Sequence, residues 1–179
     1  MELQEAISQR RSIKAFKRDM TIDEDALYDA IKKAADAPNH GHREPWRVIH
    51  VAKDRLGTMS KQLTHIAFHD KPKKQEDHYQ VVTNLGGMLV LILKEDPQQL
   101  ESLEDHLAFG AYVQNLMLLL HEAGIGTCWK TPGYIFNEEV QTLFNIQENE
   151  RLLGFLYLTD LEDEMNYRPR HTENIIEKF

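Results

Sequence analysis

Three cations and a hydroxyl crowd into five residues, Arg10-Arg11-Ser12-Ile13-Lys14, at the end of a short amphipathic stretch over residues 2–9. Arginine presents a planar fork of donors, lysine a compact point charge and serine one short hydrogen bond. That set suits a phosphate or the electron-rich edge of a heterocycle. The same cations are favourable at the negative end of a helix dipole, so the cluster taken alone favours the plainer reading of a solvated helix end. Nine histidines raise the question of a metal, above all His40-x-His42 and the pair His65 and His69, spaced to share one helix face. Three or four converging ligands are needed and no carboxylate motif accompanies these histidines, so no metal site is assigned. The single cysteine, Cys128, can form neither an internal disulfide nor a cysteine zinc site, and it reads as a small buried residue in a reducing, cytoplasmic protein.

The segments that must position this chemistry are legible from their periodicity. Thr21 and Glu24 have capping-box spacing. Ile22, Ala26, Leu27, Ala30, Ile31 and Ala34 then recur at helical intervals until Pro38 stops the helix. Residues 46–51 read as a strand, as do the apolar run 88–93 after Gly86-Gly87, a short stretch 124–129, and 152–158. Residues 56–84 carry weak helical phasing and predict helical pieces with a mobile loop near 70–77. A long helix is expected from Ser102 to Ala123, with Gly124 as its cap, and a short one over 137–144. Leu103, Leu107, Ala108, Ala111, Tyr112, Leu116, Leu118, Leu119 and Leu120 cover more than one face of the long helix. Such a surface belongs to a central helix or to one shared with a partner.

At 179 residues with 41% hydrophobic content the chain is large enough for a real core and is expected to form one domain over 1–179. A net charge of −8 argues against a nucleic-acid partner. The apolar run 88–93 is too short to span a bilayer, and the acidic first residues lack a signal-peptide pattern, so no membrane association is expected. No glycine-rich dinucleotide fingerprint follows a predicted strand, which disfavours a Rossmann oxidoreductase.

Four segments in this order, Arg10-Arg11-Ser12, Ala37-Pro38-Asn39-His40-Gly41-His42-Arg43-Glu44-Pro45-Trp46, Gly126-Thr127-Cys128-Trp129-Lys130-Thr131-Pro132-Gly133 and Leu153-Gly154-Phe155-Leu156-Tyr157-Leu158, together resemble the nitroreductase family, with the closest likeness to its small, minimal members. The resemblance implies an α+β fold, a mainly antiparallel sheet flanked by helices, in a homodimer enclosing two FMN sites. It implies Arg10, Arg11 and Ser12 at the flavin, with Lys14 at its pyrimidine edge. Pro38, Asn39 and His40 would lie against the ring system from the opposite subunit, and Trp129, Lys130 and Thr131 would form a second flavin segment. Arg168 and Arg170 would reach the phosphate, although a solvated tail remains open for that pair. The reaction implied is electron transfer from NAD(P)H to a small nitroaromatic, quinone or related electron-poor acceptor, in ping-pong order and without a catalytic side chain, because the reacting atom belongs to the cofactor. A non-catalytic flavin carrier or redox sensor would use the same residues.

Overall fold

The strand Gly87–Lys94 (GMLVLILK) is buried at every position but its last, so its sequence is a continuous apolar run instead of an alternation. Such a strand must be covered on both faces. In the computed structural model, which describes residues 1–14, 20–161 and 169–179, it is a central member of a four-stranded sheet. The chain order is α1 (Leu3–Gln9), α2 (Glu24–Lys33), β1 (Trp46–Ala52), α3 (Lys53–Ala67), α4 (Pro72–Thr83), β2 (Gly87–Lys94), α5 (Gln99–Glu122), β3 (Ile125–Lys130), α6 (Glu138–Leu143) and β4 (Glu150–Asp160). Single 3-10 turns occupy Ala34–Asp36, His40–His42 and Gly133–Phe136. The strands are ordered β1-β2-β4-β3, and all neighbours pair antiparallel.

Side chains alternate across a strand, so β2 serves two cores. Leu89, Leu91 and Leu93 pack with Leu27 and Ala30 of α2 and with Phe109, Tyr112 and Leu116 of α5. Met88, Val90 and Ile92 pack with Leu56 and Leu63 of α3, Val82 of α4 and Val140 of α6. The result is the α+β architecture expected, helices on both faces of an antiparallel sheet.

Three local expectations are corrected. The helix start read at Thr21 lies at Glu24, because Asp23 caps α2, its carboxylate accepting from the backbone N–H of Asp25 at 3.0 Å and of Ala26 at 3.2 Å. A carboxylate there also meets the positive end of the helix dipole. The mobile loop expected near 70–77 is helical from Pro72 onward, proline being well suited to the first helical position, where an N–H has no partner to lose. Helix α5 begins at Gln99, not at Ser102, whose hydroxyl donates to Glu95 Oε1 at 2.6 Å, while Asp105 is engaged by Arg43. The buried face of α5 includes Ala108, Phe109, Tyr112, Val113, Leu116 and Leu120, whereas Leu100, Leu103 and Leu107 are exposed along its first half. Among the described residues no helix is long and apolar enough to cross a membrane.

Candidate active site

The basic segment is stitched to the sheet edge. Ile13 N donates to Thr127 O at 3.0 Å, and Ser12 forms a parallel bridge with Thr127 on β3. Gly126 permits the approach, because a Cβ there would stand 2.4 Å from the Asp160 carbonyl oxygen and 3.0 Å from Ile13 Cγ1. Lys14 therefore leaves the bridge beside β3, whose own end carries Lys130 and Thr131. These three residues, from segments more than 100 positions apart, line one cavity of about 660 Å³ together with Phe68, Asp77, His78, Val81, Pro132, Tyr134 and Tyr157.

Aromatic side chains supply much of the wall of this cavity. Tyr134 meets Phe68 edge-on with ring centroids 5.6 Å apart, and Lys130 Nζ stands 6.0 Å above the Tyr157 ring. His78 Nδ1 lies 2.7 Å from the buried Ser60 hydroxyl and its Nε2 lies 3.5 Å from Tyr134 Oη. Burial lowers the His78 pKa, raises that of Tyr134 to about 12, and raises that of Tyr157 further. At neutral pH the imidazole and both phenols are uncharged, so the charge at the cavity comes from Lys14, Lys130 and Asp77. An aromatic slot with neutral hydrogen-bonding groups and two cations suits a planar heteroaromatic ring with an electron-rich edge. Nothing in the local sequence marks Phe68, His78 or Tyr134 for this site. They come from the end of α3, from α4 and from the turn after β3, and only packing brings them together.

Arg10, at the C-terminal cap of α1, is half-buried, and its pKa is lowered first by that burial and then by the charges of Arg11 and Arg170. Arg11 Nη1 donates to the Arg10 carbonyl at 2.8 Å. The buried His121 of α5 has its pKa lowered by burial and then by the charges of Arg10 and Arg11. Arg170 is exposed, while Arg168 lies outside the described residues.

Pro38, Asn39 and His40 do not line the cavity. Their loop docks on the first half of α5 through Arg43, whose Nε donates to Asp105 Oδ1 at 2.7 Å and Nη2 to Glu104 Oε2 at 2.9 Å. Asn39 Oδ1 accepts from Glu44 N at 3.1 Å, and His40 and Pro38 are exposed. Trp46 stacks on Tyr112, centroids 4.9 Å apart and planes 8° from parallel, as a packing residue. Trp129 likewise packs: its indole N–H donates at 3.1 Å to the Leu153 carbonyl, at the bulge where β4 slips register against β2. Gly154 follows with φ +129°, and a Cβ there would come 2.4 Å from the Lys130 carbonyl oxygen. Cys128 is buried as a free thiol. The His65 and His69 rings are 5.6 Å apart, and among the described residues no three His, Cys, Asp or Glu side chains converge on a common point.

Comparison with known proteins identifies the family and the fold. The sequence profile of the nitroreductase family matches residues 7–158. YfhC of Bacillus subtilis (strain 168), provisionally named an NAD(P)H nitroreductase, is 32% identical over 160 residues, covering 86% of this chain and 81% of its own. A nitroreductase-like family protein from Bacillus cereus superimposes with a TM-score of 0.85 at 26% identity, covering 100% of this chain and 96% of the other. A nitroreductase with bound FMN from Bacteroides fragilis NCTC 9343 shares the fold with a TM-score of 0.73 at 19% identity, over 100% of this chain and 99% of that one.

Proposed function

Because the chain belongs to the nitroreductase family, we propose that it is an FMN-dependent oxidoreductase that carries electrons from NAD(P)H to nitroaromatic, quinone or related electron-poor acceptors. The observation that carries this reading is the convergence of Lys14, Lys130 and Thr131 on one aromatic cavity, Lys14 being brought there by the Ser12 bridge that follows Arg10 and Arg11 in the chain. The donor set fits the cofactor: cations and a hydroxyl for the pyrimidine edge, flat apolar walls for the ring system, and guanidinium groups for the phosphate. Bound FMN supplies the atom that accepts and donates hydride, so the side chains serve to bind, orient and exclude water. Donor and acceptor then use one pocket in turn, which gives ping-pong kinetics.

We read residues 1–179 as a single FMN-binding domain working as a homodimer in the cytoplasm. The exposed leucines of α5 form the apolar face that a second copy covers, and Pro38, Asn39 and His40 of one subunit approach the cavity of the other. The test is the absorption spectrum of the purified protein, followed by anaerobic mixing with NADH and with NADPH. A yellow protein bleached by at least one donor is the expected result. A bound flavin that neither donor bleaches makes the chain a carrier or sensor, and a protein that stays colourless after FMN addition removes the reading altogether.

A further inference from the structure

Ser60 is a polar residue on an apolar face. It is fully buried in α3 together with Leu56, Met59 and Leu63, and a hydroxyl in such a place costs free energy unless it is bonded. Its partner is Nδ1 of His78 on α4, 2.7 Å away, and among the described residues the hydroxyl has no other acceptor. Ser60 therefore donates and Nδ1 accepts. Burial keeps the imidazole neutral, so its one hydrogen is fixed on Nε2. That Nε2–H faces Tyr134 Oη at 3.5 Å, so the phenol oxygen is the accepting partner and its own hydrogen must point elsewhere. Among the described residues no acceptor takes it. The contact is long for a hydrogen bond and leaves the phenol hydroxyl free to turn toward a ligand. Ser60, His78 and Tyr134 thus form a line of donors of one polarity, running from the core to the cavity that His78 and Tyr134 both line. Phe68 meets both rings edge-on, with centroids 6.4 Å from His78 and 5.6 Å from Tyr134, and holds them in place.

We propose that Tyr134 donates a hydrogen bond to an oxygen atom of the electron acceptor, with His78 and Ser60 as positioning residues, so that the site selects acceptors carrying a carbonyl or nitro oxygen. The inference rests on the flavin reading above and gives it a specificity residue outside the family-like segments. In that reading Lys14, Lys130 and Thr131 serve the flavin edge, which leaves Tyr134 for the second ligand. A quinone or nitro group offers lone pairs and no hydrogen, the complement of a phenol whose own hydrogen is unclaimed. Negative charge grows on that oxygen as electrons arrive, so the bond strengthens as the reaction proceeds. Tyr134 keeps its proton throughout, because burial pushes the phenol up to about 12. A quinone gains a hydride from the reduced flavin and one proton from water, and leaves as the hydroquinone.

The test measures, by ligand-observed NMR on the FMN-bound protein, the affinity for duroquinone and for durene, a hydrocarbon with the same ring and methyl groups but no oxygen. One neutral hydrogen bond corresponds to about two- to tenfold in affinity. Tyr134→Phe is expected to lose that factor for duroquinone and nothing for durene, with FMN affinity and melting temperature measured beside it. His78→Leu is expected to lose part of the factor, because the phenol is no longer held. His78→Gln, whose amide N–H can stand in for Nε2–H, is expected to regain it, and failure to do so overturns the positioning role. In the wild type, proton–nitrogen correlation spectra of the imidazole are expected to place the His78 hydrogen on Nε2. Unchanged duroquinone affinity in Tyr134→Phe overturns the proposal, and so does an equal loss for durene, a matching loss of FMN affinity, or a His78 hydrogen on Nδ1. If the wild type takes up no flavin, the flavin reading fails by itself. The same titration of the flavin-free protein then decides the phenol: a loss in Tyr134→Phe confined to duroquinone upholds a donor to oxygen, and no such loss overturns it.

Discussion

The double substitution Leu103→Glu/Leu107→Glu is expected to separate the proposed dimer and, with it, to impair the flavin site. Leu103 is 56% exposed and Leu107 67% exposed in the single chain. Burying a fully exposed leucine is worth about 1.5–3 kcal/mol, so covering the exposed fraction of each gives roughly 1–2 kcal/mol. A two-fold interface uses the same patch on both subunits, so four leucines contribute about 4–7 kcal/mol to association before the ordering costs. Placing glutamates there removes this contribution and is expected to raise the dimer dissociation constant about a thousandfold or more. Sedimentation equilibrium measures that shift, with circular dichroism confirming that the variant retains its helices and sheet. FMN affinity is expected to fall in parallel, since Pro38, Asn39 and His40 reach the cavity from the partner in this arrangement. A variant that remains dimeric with an unchanged dissociation constant refutes the assigned face, and a wild-type monomer that binds FMN tightly refutes the two-subunit site.

Other consequences follow from the same geometry. Arg10→Ala and Arg11→Ala are each expected to weaken FMN binding by about 1.5–3 kcal/mol while leaving the fold intact, measured by titration beside thermal unfolding; full affinity in both at moderate salt shows the basic cluster to be misassigned. Arg43→Ala leaves the buried Asp105 carboxylate without its cation and releases the loop that holds His40, so both melting temperature and FMN affinity are expected to drop. Steady-state rates with varied NAD(P)H and acceptor are expected to give parallel double-reciprocal lines, and intersecting lines would contradict a pocket used in turn. Burial lowers the folded-state pKa of His50, His78 and His121, so their contribution to stability is complete above pH 6.5 and is lost as pH falls through the folded values. Thermal unfolding at pH 7.5 and in steps below 6.5 checks this, a flat profile across that range being the adverse result.

What residue order alone determined is local. The apolar run of β2 announced a buried strand, the helical recurrence after Ile22 announced α2, Gly124 marked the end of α5, and the long helix showed more apolar surface than one small domain uses. The family-like segments were legible too, because a basic cluster, a Pro-Asn-His loop and a Trp-Lys-Thr run are contiguous in the chain. Hydrophobic periodicity and turn chemistry act between near neighbours, and the sequence states them directly. It misplaced the starts of α2 and α5 because several polar residues compete to cap a helix. The winner depends on whether a candidate is already engaged elsewhere, as Ser102 is by Glu95 and Asp105 by Arg43.

Only the tertiary structure decided which of those residues meet. Lys14 reaches the cavity of Lys130 and Thr131 because Gly126 lets the Ser12 bridge close on β3, a contact between positions 115 apart in the chain. Phe68, His78 and Tyr134 join them from three other elements, and their neutral state follows from burial, which no local pattern expresses. His121 lies in the last turn of an ordinary helix, and its sequence neighbours give no sign that its Nε2 ends up buried and, among the described residues, without a hydrogen-bond partner. The residue types supplied the chemical groups. Desolvation, the closure of long loops and the packing of α1 on α5 set their distances and charges, and those are properties of the folded chain alone.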